Sequence, residues 1–404
     1  MEKVKKIVIV GAGFGGLRCA LTLERALKEY RLSKEAEIVL VDKNRYHSFI
    51  PALYEVASAS RALSEEALYA RTNILIKTLI GTKKISFVKG EVTDINIEER
   101  YVELADGSGQ EFDYLVIALG SEINFYDIPG LEKQALCLKD YLDALRIRRA
   151  VKLGDNIPKQ IVVAGGGTSG IELAAELRKD LKKVPVSIIL VEGEKRVLPS
   201  FPEAISHIAA SRLRELHILP KLGHYIKKAE KKELLLDNDE KIPYDCLFWT
   251  AGIKGHRLLE KIPLQKEKNG MLKSDACLHP LKESGEPIAY AYAIGDAGAF
   301  YDAQGKIVPW TAQKAIGQGK KAAYSILRSI QGLHETRCYP EKVNFVIPIG
   351  GKWAIAKLNS FVYSGFGGWM VKDLVELKYL LSILPISKAL AYWAKTVWAF
   401  SRND

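Results

Sequence analysis

The feature that most constrains this sequence is a glycine-rich turn near its start, between a predicted strand and a predicted helix. Residues 7–10 form a short apolar run of β-branched side chains, which is typical of a buried parallel strand. Apolar residues at helical spacing then predict a helix over residues 17–28. The turn between them has glycines with the G-x-G-x-x-G spacing, at Gly11, Gly13 and Gly16.

Each glycine of this turn is needed for a different physical reason. The first allows a tight turn, the second lets a pyrophosphate approach the backbone, and the third lets the helix pack closely on the strand. The pyrophosphate then lies at a helix N-terminus, whose amides and dipole favour negative charge. A second apolar run, 38–41, ends in Asp42, which is placed to accept hydrogen bonds from ribose hydroxyls. The whole unit predicts a dinucleotide site, and an ordinary tight turn is the weaker alternative.

The same pattern occurs a second time in the middle of the chain. A predicted strand again leads into a glycine turn, a helix is predicted over 171–181, and the next strand, 186–191, ends in Glu192. The segment 245–252 also matches 113–120 in length, leading acid and closing glycine. The glycines of the second turn are Gly165, Gly167 and Gly170. Two whole copies predict two dinucleotide sites, one that holds a flavin tightly and one for a nicotinamide that exchanges.

The two terminal acids predict which nicotinamide cofactor is used. Asp42 and Glu192 are negative where a 2′-phosphate would lie, so both disfavour NADP by charge repulsion. Lys195 and Arg196 follow Glu192 closely and weaken this argument. A preference for NADH is therefore expected, and its strictness stays open.

Composition limits the class of protein. The 404 residues suffice for two or three domains, and 48% hydrophobic with 26% charged residues is typical of a globular protein. A net charge of +11 favours an acidic partner such as anionic lipid, and without an arginine-rich run or an aromatic–basic motif we expect no nucleic acid. The five cysteines lack a C-x-x-C pair, which argues against a redox disulfide of that kind and a metal site. No apolar run approaches the roughly 18–20 residues of a spanning helix.

A third motif, 292–298, predicts a short strand that delivers Asp296 between small residues, so that a sugar or ribitol chain can approach. Pro309 and Thr311 then signal the start of a helix. If this helix points its N-terminus at the pyrimidine edge of a flavin, its dipole stabilises the anionic reduced flavin. A plain capped helix is the alternative.

Together these motifs resemble the two-dinucleotide-binding-domain flavoproteins of the glutathione-reductase-like fold, and within them the type II NADH dehydrogenases, which are monotopic NADH:quinone oxidoreductases. The resemblance covers essentially the whole chain. It implies an α/β fold with two Rossmann-like domains and a C-terminal amphipathic helical segment that anchors the protein to a membrane. Its most specific pieces are 11–16 with Asp42, Lys43-Asn44 followed by Tyr46-His47, 118–121 with 128–130, 144–148, 165–172, 250–252, 293–296 and 312–315.

The resemblance implies non-covalent FAD in the first site and NADH as the exchanging substrate in the second. The residues implied for FAD are Gly11, Gly13, Phe14, Gly15, Gly16, Asp42, Lys43, His47, Ala118, Gly120, Asp296, Ala312 and Gln313. Those implied for NADH are Gly165, Gly167, Thr168, Gly170, Glu172, Glu192 and Gly252. The predicted domains are 1–120 with 285–335 for FAD, 121–284 for NADH, and 336–404 for membrane association and dimerisation.

The implied catalytic residues are Glu172 and Gln313. Glu172 would lie beside the nicotinamide–flavin stack, although a first-turn glutamate also suits a helix dipole for electrostatic reasons alone. The quinone would be bound at Gln313 and Gly317. The family pattern Ala-Gln-x-Ala-x-Gln puts two glutamines one turn apart, whereas here Gly317 replaces the second and Gln318 follows it. Gln318 would point about 100° away from Gln313, so Gly317 opens room for a different quinone headgroup or another acceptor.

From Phe361 onward the sequence predicts two amphipathic helices, separated by Pro385. A basic, tryptophan-rich amphipathic helix is typical of a bilayer interface. A dimerisation helix, or one that covers the flavin domain, is the alternative, and the two roles are compatible, so a homodimer is expected. On the first helix Met370, Leu374, Leu377 and Leu381 share one face, and Trp369, Lys372, Asp373 and Glu376 lie on another.

These observations predict a peripheral FAD enzyme on the cytoplasmic face of the cell membrane. It would oxidise NADH and reduce a quinone of the respiratory chain without pumping protons. A sulfide:quinone oxidoreductase-like flavoprotein is the nearest alternative, but it needs redox cysteines, for which Cys137 and Cys338 are the candidates. A flavoprotein that binds a partner according to its redox state, with slow NADH oxidation, is an alternative from another class.

Overall fold

The computed structural model describes residues 3–60, 62–152, 158–302, 304–337 and 344–401. The α-helices are α1 (Phe14–Glu29), α2 (Leu53–Ser58), α3 (Glu65–Thr72), α4 (Ile76–Ile80), α5 (Leu131–Gln134), α6 (Tyr141–Lys152), α7 (Thr168–Asp180), α8 (Glu203–Glu215), α9 (Arg257–Lys261), α10 (Ala312–Ile330), α11 (Phe366–Ile383) and α12 (Ile386–Ser401). Short 3-10 helices occur at Ile50–Ala52 and Gly295–Ala297.

The strands are β1 (Lys5–Val10), β2 (Ala36–Asp42), β3 (Tyr46–Ser48), β4 (Asn73–Leu75), β5 (Ser86–Lys89), β6 (Val92–Asn96), β7 (Tyr101–Leu104), β8 (Gly109–Glu111), β9 (Tyr114–Ile117), β10 (Ser121–Ile123), β11 (Leu136–Cys137), β12 (Gln160–Ala164), β13 (Ser187–Glu192), β14 (Leu219–Leu222), β15 (Ile226–Glu230), β16 (Glu233–Leu236), β17 (Lys241–Pro243), β18 (Cys246–Trp249), β19 (Ile253–Gly255), β20 (Leu272–Lys273), β21 (Ala291–Ala293), β22 (Gly298–Ala299), β23 (Phe345–Pro348), β24 (Ala354–Leu358) and β25 (Phe361–Tyr363).

The chain divides into two compact units. Unit 1 comprises Met1–His47, Ile74–Glu122 and Ile253–Glu341, and unit 2 comprises Ser48–Asn73, Ile123–Gly252 and Lys342–Asp404. The C-terminal helices thus belong to unit 2. Which cofactor each predicted domain binds stays a prediction.

Unit 1 is built on a parallel sheet with the strand order β21-β9-β1-β2-β5. Val10, the last residue of β1, pairs with Val41 on one side and Ile117 on the other, so the carboxyl ends of these strands meet at one edge. In open α/β sheets ligands bind at this edge. The strands β6, β7 and β8 form a small antiparallel sheet, whereas β5 joins the parallel sheet beside β2.

Unit 2 repeats this plan with the strand order β11-β18-β12-β13-β14, again all parallel. The buried faces of α2, α6, α7 and α8 form one apolar core with the sheet. The antiparallel sheet β15-β16-β17 and α5 form a second core, which includes Trp249 and Leu234. The predicted α/β fold with two Rossmann-like halves is confirmed.

The C-terminal part of unit 2 consists of the antiparallel sheet β23-β24-β25 followed by α11 and α12. The two predicted C-terminal helices are therefore present, and they meet at Pro385. Across the described residues, no helix has both the length and the apolar composition that a membrane span requires.

Candidate functional site

The glycine turn of unit 1 shows why its first and third positions exclude a side chain. Gly11 has φ +102°, and a Cβ there would lie 2.2 Å from the carbonyl oxygen of Ala118. A Cβ on Gly16 would lie 1.8 Å from the carbonyl oxygen of Gly11. Both clashes are with backbone, which cannot move aside without opening the contact between β1, β9 and α1. The fold of unit 1 therefore requires glycine at these two positions, independently of any ligand.

Gly13 is different, because a Cβ at this position would meet no protein atom within 4 Å. Its backbone is extended, with φ −69° and ψ −167°, and it is the N-cap residue of α1. The missing side chain therefore leaves open space in front of a helix N-terminus, where a pyrophosphate group fits. Because of this open space, the unit 1 turn can accommodate the pyrophosphate of a dinucleotide such as FAD.

Asp42 closes this site at the end of β2. Its carboxylate accepts hydrogen bonds from the backbone N–H of Ala12 and of Asn44, each at 2.7 Å. Burial raises the pKa of this carboxyl, and the two backbone hydrogen bonds lower it in part. The acid is thus fixed against the glycine turn, and Lys43 beside it is exposed.

His47 supports the turn from inside the protein. Its Nδ1 donates to the carbonyl oxygen of Ala12 at 2.9 Å, and its ring meets Phe14 edge-on with 5.0 Å between centroids. Burial lowers the pKa of His47 to about 4, so the imidazole is neutral at physiological pH. The structure places His47 and Phe14 beneath the turn, and direct cofactor contact by either residue stays a prediction.

Asp296 follows β21 at the same sheet edge. Its Oδ2 accepts from the hydroxyl of Ser121 at 2.8 Å, and the neighbouring Gly295, at φ +64°, donates its N–H to Oε1 of Gln318 at 2.8 Å. Gln318 is therefore committed to the backbone beside Asp296, and whether it contacts a quinone stays a prediction.

The helix that the sequence predicts after Pro309 is α10. Thr311 caps it, with Oγ1 accepting from the N–H of Lys314 at 3.2 Å. Gln313, in its first turn, is exposed, and a Cβ on Gly317 would meet no protein atom within 4 Å. The face of α10 that carries both is open. Further predicted residues, Gly15, Ala118, Gly120 and Ala312, also lie in unit 1.

The glycine turn of unit 2 has the same geometry as that of unit 1. Gly165 has φ +114°, and a Cβ on Gly170 would lie 1.9 Å from its carbonyl oxygen. A Cβ on Gly167 would again meet no protein atom, and Gly167 is the extended N-cap residue of α7. Glu192 accepts from the N–H of Gly166 at 2.5 Å and of Glu194 at 2.9 Å. The two acids thus hold equivalent backbone amides in the two units.

The remaining predicted NADH residues also lie in unit 2. Thr168 is the first residue of α7. Gly252 has φ +99°, and a Cβ there would lie 2.3 Å from the hydroxyl oxygen of Tyr126. Tyr126 is exposed and packs near Trp249, at 6.3 Å between ring centroids. Tyr126 was not predicted, because nothing in the local sequence indicates that it covers Gly252.

Glu172 lies one turn into α7, and its side chain is half-buried. Burial raises the pKa of Glu172 to about 8, with Lys372 lowering it and Glu55 raising it. At neutral pH this carboxyl therefore mostly holds its proton. A carboxyl group that is protonated near pH 7 can donate and accept protons in a reaction, and a catalytic role for Glu172 stays a prediction.

The charges around Glu172 form a buried network that links three helices of unit 2. Nε of Arg71, at the end of α3, donates to Glu55 of α2 at 2.7 Å, and its NH2 donates to Glu376 of α11 at 2.9 Å. Lys372 of α11 donates to the other oxygen of Glu55 at 2.5 Å. Arg71 and Lys372 hold the pKa of Glu55 well below its usual range against the opposing effect of burial. Sequence reasoning missed Glu55 and Arg71.

This network borders a polar cavity of about 630 Å³, counting its open mouth. Glu176 and Lys179 of α7 also line the cavity, and Gly351 donates its N–H to Glu176 at 3.0 Å. The ionised side chains of the network thus lie at the edge of this cavity and stay largely buried.

Comparison with known proteins identifies the family. A model of the pyridine nucleotide-disulphide oxidoreductases matches residues 5–319, which is most of the chain. The chain belongs to this family. The type II NADH:quinone oxidoreductase of Staphylococcus saprophyticus is 28% identical over 353 residues, 81% of this chain and 83% of that protein. The enzyme of the same name from Haemophilus influenzae is 29% identical over 371 residues, 80% of each chain. The predicted resemblance is confirmed.

Solved structures agree on the fold of this family member. The NDH2 of Plasmodium falciparum, solved in complex with NADH, superposes with a TM-score of 0.81 at 20% identity, covering 99% of this chain and 97% of that one. The sulfide:quinone oxidoreductase of Aquifex aeolicus gives a TM-score of 0.78 at 18% identity, covering 99% and 92%. At these identities the likeness concerns the fold alone.

In this family member the described cysteines do not form a redox pair. Cys137 is half-buried in β11, and burial raises the pKa of its thiol to about 12, so it is a poor thiolate. Cys338 lies outside the described residues. Cys19 is buried, and Cys246 and Cys277 are half-buried, each unpaired.

Proposed function

We propose that this protein is an FAD-dependent NADH:quinone oxidoreductase. The observation that carries the proposal is the presence of two complete dinucleotide sites, one in each unit, each with open space at its second glycine and a carboxylate on its turn. Relatives at 28–29% identity bear this activity as their name. The balanced reaction takes NADH, one proton and a quinone to NAD⁺ and the hydroquinone.

The unit 1 site, with Asp42 and Asp296, takes FAD, and the unit 2 site, with Glu192, takes NADH. FAD, when bound, supplies the ring that accepts a hydride and passes on two electrons. Gln313 and the open position at Gly317 contact the quinone. Glu172, one turn into the helix that follows the unit 2 glycine turn, holds a proton, which is supported by the rise of its pKa on burial. Hydroquinone formation needs such a proton.

The sulfide:quinone alternative is less well supported. That chemistry needs reactive thiolates, and the described thiol that the sequence offered, Cys137, has its pKa raised by burial. A sulfide:quinone oxidoreductase also does not need an intact second dinucleotide site, whereas in this protein the unit 2 site is complete.

Rapid mixing without oxygen tests the proposal. NADH is expected to bleach the flavin within one turnover, and a water-soluble quinone is then expected to restore it, while sulfide leaves the flavin oxidised. A flavin that stays oxidised with excess NADH contradicts the proposal. If NADH reduces the flavin quickly but no quinone reoxidises it, the result supports the alternative of a flavoprotein that binds a partner according to its redox state.

The C-terminal helices support a location on a membrane surface. On α11 the charged face is turned inward, with Glu376 only 6% exposed, and the apolar face is turned outward, with Leu374 58% and Met370 50% exposed. In β25, which precedes α11 in the chain, Phe361 is 69% exposed. Outward apolar residues beside the exposed Lys378 fit the acyl boundary and anionic headgroups of a bilayer. The cytoplasmic face and the homodimer stay predictions.

Vesicle binding tests this location. The wild-type protein is expected to float with vesicles that contain anionic lipid, and the double variant Met370→Glu, Leu374→Glu is expected to bind them about tenfold less, since two apolar side chains leave the acyl boundary. The matched control is Leu142→Glu on α6, where the leucine is 57% exposed. Equal binding of all three proteins contradicts the membrane location.

A further inference from the structure

The loop after β13 brings two carboxylates to the ribose end of the unit 2 site, where the sequence predicted one. Glu192 holds the N–H of Gly166 with one oxygen and the N–H of Glu194 with the other. Glu194 itself is exposed, and its Oε1 accepts from the hydroxyl of Tyr225 at 3.3 Å. Two negative side chains therefore flank the position that the ribose hydroxyls of a dinucleotide occupy.

Tyr225 is held in place from several sides. Its ring lies against Gly193, where a Cβ would come within 2.4 Å of a ring carbon. Its carbonyl oxygen accepts from the N–H of Asp237 at 2.9 Å. Two residues earlier, Gly223 donates its N–H to the carbonyl oxygens of Glu192 and Glu194, at 2.9 and 3.0 Å. The loop that carries Tyr225 is thus fastened to the loop that carries both acids.

The residue Tyr225 is nevertheless 59% exposed. A fixed aromatic side chain that shows so much surface beside a ribose-binding acid offers a flat apolar platform for an adenine base. In a bound dinucleotide the adenine base is attached directly to its ribose. The ring of Tyr225 and the carboxylates of Glu192 and Glu194 can therefore contact the same adenosine group.

Two cations of the same loop, Lys195 and Arg196, could offset the negative charge of Glu192 and Glu194, but only one of them has its charged group free to face a ligand. The guanidinium of Arg196 donates to the carbonyl oxygens of Leu198 and Pro199, at 3.2 and 2.7 Å. Arg196 is therefore committed to backbone of its own loop, and Lys195 alone is exposed next to Glu194. Two carboxylates against one lysine leave the adenosine end negative.

We propose that Glu194 and Tyr225 complete the adenosine end of the nicotinamide site, Tyr225 by stacking on adenine and Glu194 by excluding a 2′-phosphate. This inference rests on the proposed function, because it assigns the unit 2 site to a nicotinamide cofactor. A 2′-phosphate carries between one and two negative charges near pH 7, so a second carboxylate beside it strengthens the discrimination already expected from Glu192. The site then selects NADH strictly.

Calorimetric titration of the FAD-loaded protein tests the proposal without catalysis. The probes are ADP-ribose and 2′-phospho-ADP-ribose, which lack the nicotinamide and differ only in the phosphate. We expect the wild-type protein to bind ADP-ribose about 100-fold more tightly than its phosphorylated form. Glu194→Gln should strengthen binding of the phosphorylated probe about tenfold and leave that of ADP-ribose unchanged. Glu203→Gln, which removes a carboxylate 78% exposed on α8, is the control and should change neither.

The two variants of Tyr225 separate stacking from hydrogen bonding. Tyr225→Ala should weaken both probes about tenfold, whereas Tyr225→Phe keeps the ring and should leave ADP-ribose within about twofold of wild type. An unchanged ratio in Glu194→Gln, or unchanged affinities in Tyr225→Ala, overturns the corresponding half of the proposal. If neither probe binds the wild-type protein, the nicotinamide site of the proposed function fails first, and this inference fails with it.

Discussion

The Gly13→Val variant is expected to fold and to be purified largely without its flavin, whereas Gly167→Val is expected to be purified with flavin that needs about tenfold more NADH for its reduction. The same substitution at equivalent turns should thus give opposite defects. Both glycines have extended backbones, with φ −69° and −74°, which valine adopts without strain. At both positions a Cβ meets no protein atom within 4 Å. The new side chain therefore fills only the space of the ligand.

The size of the effect follows from where that space lies. Branched methyl groups in front of the N-terminus of α1 or α7 displace a pyrophosphate from the helix amides, so its hydrogen bonds and its favourable position at the dipole are lost together. We expect flavin content to fall about tenfold or more in Gly13→Val, and the affinity for NADH to fall by a similar factor in Gly167→Val. Flavin absorbance of the purified proteins and its bleaching by NADH measure the two effects.

Gly367→Val is the matched control, since a Cβ on Gly367 also meets no protein atom. It should keep both flavin and reduction. Gly16→Val should fail in a different way, because its Cβ would overlap the carbonyl oxygen of Gly11 and unit 1 could not close around β1. If Gly13→Val retained flavin and Gly167→Val lost it, the assignment of the two sites would have to be exchanged.

The sequence predicts the two glycine turns well because everything that forms each turn is local. Strand, turn, helix, strand and acid follow one another within fewer than about forty residues. The structure reproduces the tight fit expected at the first and third glycines and the open space expected at the second. The helices α1 and α7 begin three residues before the predicted starts, at Phe14 and Thr168. The second glycine of each turn is already the N-cap, so the glycines after it belong to the helix.

The residues that the sequence could not predict are those brought together from distant segments. Gln318 holds the backbone of Gly295, and Tyr126 covers Gly252; neither contact has a local signal. The clearest case is α11, where periodicity correctly separates an apolar from a charged face. A single sequence does not show that the charged face is buried, because the partner of Glu376 is Arg71, 305 residues away. Lys372 therefore pairs with Glu55 and not with lipid headgroups.

The Arg71→Met variant is expected to lose about 3–5 kcal/mol of unfolding free energy. Arg71 is 3% exposed and supplies the positive charge that Glu376 faces, as well as one of the two that hold Glu55. Replacing one member of a buried ion pair leaves its partner ionised and without compensation in a medium that solvates charge poorly. Urea unfolding followed by tryptophan fluorescence at pH 7 measures the loss.

The double variant Arg71→Met, Glu376→Met should regain most of that stability, because Glu55 keeps Lys372 and no unpaired carboxylate stays buried beside α3. Arg146→Met is the control: it removes a pair with Asp143 in which the arginine is 64% exposed, and it should cost about 1 kcal/mol or less. A double variant no more stable than Arg71→Met would show that the loss comes from packing of the arginine side chain. In that case the ion pairs would not be what turns the charged face of α11 inward. The packing of the buried side chains of Tyr379 and Leu380 on the same helix would then set its orientation.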